Sequence, residues 1–290
     1  MSTAAYAGAS PAAIGHHYDL SNDFYALWLG ESMVYSCARW ADAAGDGLTR
    51  AQTRKLDYFV EQTRAAGTRR VLDVGCGWGT LVRHLVDRHG VARATGLTLS
   101  PAQARWCQQH PAPRTDVRVE NWVTHEPGER YDAIISLGAF EHFARYGMTP
   151  AERLTAYRAF FERCRGWLPA GGRLGVQTNI KGNNQRLDRR TVRDMLFIVD
   201  SIFPESVLPA LDEVIVAAAG RFDVVSVRND PDDYARTCAA WLDRLTGQRD
   251  RAVELVGEDR TADYERYLSS TVQHFRRRHL GLARIVFEAV

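Results

Sequence analysis

The chain has 290 residues, 45% of them apolar and 25% charged, ordinary values for a globular protein. A formal charge of +2 is too small to imply a nucleic-acid partner, and the five cysteines (Cys37, Cys76, Cys107, Cys164, Cys238) are scattered without a C-x-x-C pair, so neither a disulfide framework nor a metal site is expected. No apolar run is long enough to span a bilayer and no signal-peptide pattern opens the chain; a cytoplasmic protein without stable membrane insertion is the expectation. Only Lys55 and Lys181 are lysines, the other basic residues being arginines.

Residues 1–13 are small and Ala/Ser-rich and read as disordered. The stretch 15–35 is dense in aromatics (His16, His17, Tyr18, Phe24, Tyr25, Trp28, Tyr35), which suits either a helix packed on the core or a lid over a ligand. A helix is predicted over 48–66, with Thr49 and Gln52 placed as a capping box. Strands are then predicted at 70–74, 92–97, 117–120, 131–136 and 173–178, with helices at 80–88, 101–110 and 150–167 between them. That alternation argues for an α/β fold with a doubly wound, parallel sheet, whose ligands lie at the carboxyl ends of the strands beside the switch point.

An inserted segment follows at 179–212. Its Val192, Met195, Leu196, Val199, Ile202 and Phe203 keep helical spacing, and Phe197 and Ile198 widen the face until it is apolar almost all round. Such a helix is buried or lines an apolar cavity. A helix at 211–220, a strand at 224–227, two or three helices from Pro231 and a last strand at 281–290 complete the chain. The run Arg276, Arg277, Arg278, His279 suits a solvated helix end or a dock for an acidic carrier or a phosphate. The parts make one domain: 1–66 N-terminal, 67–178 ligand-binding core, 179–212 insertion, 213–290 C-terminal.

The stretch RVLDVGCGWG (70–79) runs from a strand through Gly75, Gly77 and Gly79 into an amphipathic segment. A strand that turns through glycines into a helix presents bare N–H groups and a positive dipole end to a ligand. The same pattern also suits a tight turn with no ligand. Here it resembles motif I of the class I S-adenosylmethionine (SAM) methyltransferases. The blocks YDLSNDFYALWLGESMVYSC (18–37), GLTLSPAQ (96–103), SLGAFEHF (136–143), IFPESVLP (202–209) and DYARTCAAW (233–241) resemble, in order and spacing, the cyclopropane-fatty-acid and mycolic-acid cyclopropane synthase family. The likeness runs from about residue 14 to the end.

That resemblance implies a mostly parallel seven-stranded sheet with an N-terminal helical lid and a helical insertion that walls a lipid tunnel. It implies SAM as cofactor, near Tyr35, Ser36, Asp73, Gly75, Gly77, Thr98, Leu99, Gln103, Trp122 and Leu137. The second strand ends Gly96-Leu97-Thr98-Leu99-Ser100 with no carboxylate, which disfavours a standard NAD site, and Val123 replaces the acidic residue that the family carries after its tryptophan.

Methylating an unactivated C=C bond builds a carbocation, which the site stabilises with π faces and carboxylates and relieves of a proton. Glu141 and His142 follow the fourth strand between Phe140 and Phe143; Tyr35, Tyr234 and Trp241 are further candidates for the cation's surroundings. In the family a bicarbonate is the base, and its ligands correspond to Cys37, Glu141, Tyr234 and a histidine that is Gln177 here. Glutamine donates a hydrogen bond but carries no charge and shuttles no proton. The resemblance includes a hydroxylating mycolate branch that shares this glutamine, so the ending is open between ring, olefin and carbinol. The implied function is methyl transfer to carbon of an olefinic, lipid-like acceptor, free or carrier-bound. The alternatives are C-, N- or O-methylation of a smaller natural product, and a SAM-binding protein without catalysis.

Overall fold

Residues 70–74 form an inner strand, the third of seven, in a single sheet. In the computed structural model, which describes residues 8–18, 20–41, 45–184 and 186–290, the strands are β1 (Arg70–Val74), β2 (Arg93–Thr98), β3 (Thr115–Val119), β4 (Ala133–Leu137), β5 (Arg173–Lys181), β6 (Phe222–Asn229) and β7 (Leu280–Ala289). Their order is β3-β2-β1-β4-β5-β7-β6, with only β7 running against its neighbours. Val71, Leu72, Ala133, Ile134 and Ile135 are fully buried, as strands covered on both faces must be. The order reverses between β1 and β4, which opens a crevice beyond Val74 and Leu137.

The helices are α1 (Pro11–Tyr18), α2 (Asn22–Leu29), α3 (Leu48–Gln62), α4 (Thr80–His89), α5 (Pro101–Gln109), α6 (Pro150–Trp167), α7 (Arg189–Phe197), α8 (Leu211–Ala218), α9 (Pro231–Gly247), α10 (Arg249–Val256) and α11 (Glu258–Arg276). Among the described residues no helix is long and apolar enough to cross a membrane.

Four expectations need correction. Disorder over 1–13 falls partly on residues outside the described ones, but 8–13 are packed: Ala9 is buried and its N–H donates to the His142 carbonyl at 2.8 Å. The Thr49/Gln52 capping box does not form. Gln52 turns inward instead, and its amide donates to Ser36 O at 2.9 Å, tying α3 to the N-terminal segment. The α3 helix stops at Gln62 because Arg64 takes a positive φ of 56°. In the insertion, Val192 and Leu196 are 40% and 52% exposed, so α7 is not apolar-buried all round; Met195, Ile198, Val199 and Phe203 carry the apolar face, the last three on or beside a π-helical turn at Ile198–Ile202.

One charge sits where β7 should be apolar. Arg284 is 0% exposed and pairs in register with Gln177 of β5. Its Nε donates to Gln177 Oε1 (3.1 Å), one terminal nitrogen to Asp230 and Asp233 (3.1 Å to the latter), and the other to Ala38 O (2.8 Å) and Cys37 Sγ (3.4 Å). A guanidinium has five N–H donors, and these are five acceptors. The network joins the lid, β5, β7 and the start of α9. Replacing Arg284 by Met leaves Asp233 without a cation and Asp230 with Arg228 alone, an expected loss of about 3 kcal/mol. Urea denaturation reads it as a lower midpoint; an unchanged midpoint contradicts this account.

Candidate active site

The β1–α4 turn bends through left-handed glycines, with φ 83° at Gly75, 55° at Gly77 and 74° at Gly79. A Cβ on Gly75 would lie 2.3 Å from the Ala139 side chain, so this turn touches the one after β4. A Cβ on Gly77 would meet nothing nearer than Gln103 Nε2 at 3.9 Å; it would fill the cavity that opens there. The Gly75 and Cys76 N–H groups both donate to Leu97 O at 2.9 Å, which pins the turn to β2 and leaves the α4 N-terminus facing the space.

All ten residues expected around the cofactor line this one cavity. The Thr98 hydroxyl donates to Gln103 Oε1 (2.7 Å) and accepts from the Ser100 N–H (3.1 Å), so the β2–α5 turn sets the Gln103 side chain. Trp122 stands against Phe143, ring centres 5.2 Å apart. Burial pushes Asp73 up to about 7.

Sequence reading missed two charged residues here. Lys55 is 0% exposed and its ammonium donates to Ser36 Oγ at 2.8 Å; burial pulls it down to about 7. The clue was its rarity, because both lysines of this arginine-rich chain line cavities. Glu120 lines the cavity two residues before Trp122, 3.1 Å from His125 Nδ1, and supplies the carboxylate that neither the end of β2 nor position 123 provides.

A second cavity, about 610 Å³ against about 130 Å³ for the first, lies between the insertion and α11. The two share Tyr18, Tyr35, Gly138 and His142. Glu141 is 6% exposed and lines the larger cavity. Its Oε1 accepts from the Asn179 N–H at 2.6 Å, and its Oε2 has no partner among the described residues. Burial lifts this carboxyl to about 7. His142 lies between Tyr18 OH (3.3 Å) and Ser206 Oγ (2.7 Å), and burial lowers it to about 4, so it is neutral. Tyr234 lines the same cavity with its hydroxyl held well above its usual range by burial.

Other candidates lie elsewhere. Phe140 stacks on Tyr157 (4.7 Å) in the core, and Trp241 packs against Trp28 and Tyr35; both are fully buried and line neither cavity. Cys37 and Gln177 also line neither. Both are bonded to Arg284, and burial pushes the Cys37 thiol up to about 12. Of the four side chains expected to hold bicarbonate, Glu141 and Tyr234 line the larger cavity, while Cys37 and Gln177 line neither cavity and are engaged by Arg284, a buried cation already matched by two aspartates. Arg284 was missed because a strand predicted from apolar alternation gives no sign of what an embedded arginine faces. Asp57, His84 and His89 bring potential metal-ligand atoms within 4.8 Å of one another on α3 and α4, away from both cavities and bonded among themselves.

The glycine turn, the bare α4 terminus and a cavity that a Gly77 Cβ would fill fit the amino-acid portion of SAM, with Trp122 offering a flat face. The model of the mycolic acid cyclopropane synthetase family matches residues 8–285. Hydroxymycolate synthase MmaA4 of Mycobacterium tuberculosis is 32% identical over 272 residues, 89% of this chain and 86% of that protein. Cyclopropane mycolic acid synthase 2 of Mycobacterium bovis is 34% identical over 278 residues, 91% of this chain and 90% of that one. The solved structure of mycolic acid cyclopropane synthase CmaA1 with SAH and CTAB superposes with a TM-score of 0.87 at 30% identity, over 97% of this chain and 99% of that one. The chain belongs to the mycolic acid cyclopropane synthetase family and is a SAM-dependent methyltransferase of the class I fold.

Proposed function

We propose that this enzyme methylates a carbon of an olefinic, lipid-like acceptor held in the larger cavity, and ends the reaction without bicarbonate. The observation that carries the reading is the junction: two cavities meet at Tyr18, Tyr35, Gly138 and His142, and the carboxylate beside that junction keeps an unpartnered oxygen. Bound SAM supplies an electrophilic sulfonium methyl. The turn at Gly75–Gly77, with Thr98 and Gln103, would hold SAM in the smaller cavity beside that junction. Tyr18, Tyr35 and Tyr234 then offer π faces to the positive charge that grows on the acceptor. The Glu141 carboxylate lies in a dry wall, where a fixed negative charge stabilises a cation more than it would in water. It is also a base of the larger cavity, and a proton lost from a carbon beside the cation passes to Oε2 and leaves an olefin. Relatives named for cyclopropane and hydroxymycolate synthesis support an olefinic acceptor, and the absence of a membrane-crossing helix among the described residues is compatible with the cytoplasm.

Four outcomes follow. Gly77→Ala should weaken SAM binding by about 1–3 kcal/mol, the scale of overpacking, in a protein that still folds; calorimetry with unchanged affinity would remove the cofactor assignment. Glu141→Gln should lower kcat on the order of 100-fold with SAM affinity kept. Since burial lifts Glu141 to about 7, lowering the pH through that value protonates it and removes the charge. Its titratable neighbours stay neutral there, the tyrosines being raised and His142 lowered. At saturating SAM, kcat should therefore fall on the acid side of about 7, and Glu141→Gln should flatten that limb. Finally, turnover should be the same in bicarbonate-depleted buffer. Gln177→His should not create a dependence, because Arg284 still holds Cys37. Strict bicarbonate dependence in the parent enzyme would overturn the carboxylate-base reading.

A further inference from the structure

Six buried polar atoms on residues that line the larger cavity have no partner among the described residues: Glu141 Oε2, Asn179 Oδ1, Thr271 Oγ1, His274 Nδ1 and Nε2, and His279 Nδ1. Glu141 and its neighbour Asn179 belong to the reacting end. The other three residues form a group of their own. Thr271 and His274 stand three residues apart on one face of α11, and His279 follows in the turn, its ring 5.9 Å from that of His274. Their exposures are 6%, 3% and 7%, and none is shared with the cofactor cavity.

These atoms are already cut off from water, and a hydrocarbon chain laid beside them would return no hydrogen bond. We propose that Thr271, His274 and His279 form a subsite for a hydroxyl group, so that the acceptor is a hydroxylated olefin. This rests on the reading of the larger cavity as the acceptor site. The donor set decides the class. A neutral imidazole and a threonine hydroxyl each offer one donor and one acceptor, which is the complement of an alcohol. Burial, His279 and Arg277 all hold His274 down, to about 4, against the weaker pull of Asp194, so it brings no charge for an anion. Lys181 also lines the cavity, but it is half exposed and lies 3.9 Å from Glu213. A hydroxyl fixed on α11 would set how far the chain reaches, and so which C=C bond faces Glu141.

The test uses citronellol and its parent hydrocarbon, 2,6-dimethyl-2-octene, titrated into SAH-saturated protein and followed by tryptophan fluorescence. The alcohol should bind the parent enzyme about tenfold more tightly than the hydrocarbon, the scale of one matched buried polar group. His274→Leu should erase that preference by weakening the alcohol alone, with SAH affinity by calorimetry unchanged. Equal affinities in the parent, or a preference that survives His274→Leu, would overturn the subsite while leaving the acceptor cavity in place. If neither compound binds while SAH does, the acceptor-cavity reading fails and takes the subsite with it.

Discussion

The site depends on a guanidinium that cannot reach water. Burying it costs several kcal/mol, a cost offset only while every donor is matched. Arg284 therefore dictates its surroundings. It needs the carbonyl of Ala38, the sulfur of Cys37, the amide oxygen of Gln177 and two carboxylates at the start of α9. Tyr35 and Ser36 precede Cys37 directly, so the anchored backbone carries them to the edge of the cofactor cavity. Glutamine at 177 also becomes intelligible. An amide oxygen accepts from the guanidinium, whereas a protonated histidine would set a second cation against it.

The cofactor cavity has its own electrostatic logic. Asp73 and Lys55 are both buried, and burial drives them in opposite directions toward the same value, near 7. Each lowers the cost of the other only in part. A ligand that brings an ammonium and a carboxylate, as the amino-acid end of SAM does, restores charges that burial withheld. Glu120, held by His125, adds a carboxylate on the Trp122 side. Affinity at this site and charge on its walls are coupled.

Much of this was legible in the residues, for reasons that differ by element. The inner strands β1 and β4 were found because strands buried on both faces are continuous apolar runs, and the errors were at the strand ends. The β4 strand begins at Ala133 because Asp132 spends its carboxylate on the Arg69 and Arg70 N–H groups. That ten residues of these motifs line one cavity was legible because glycine turns and short motifs act locally. The acceptor side was not. Thr271, His274 and His279 look like surface polar residues of a helix end, and Arg276 to His279 reads as one basic run. Only packing separates His279, turned into the cavity, from Arg278, paired outward with Asp232. The bonds of Cys37 and Gln177 to Arg284 were hidden for the same reason, since that partner lies more than a hundred residues away in sequence.

The order of the chain divides the two cavities almost cleanly. The cofactor cavity draws its lining from Ile14 to Phe143, while the larger one, apart from Tyr18 and Tyr35, draws on Gly138 to Leu280. Divergence in the second half can therefore reshape what is methylated while the donor site drifts little, and a duplicated copy could acquire a new acceptor through changes to a few helical faces. Recombination at the α6 boundary would exchange acceptors as a block. The shared junction limits that freedom, because any imported wall must still fit the two tyrosines of the lid.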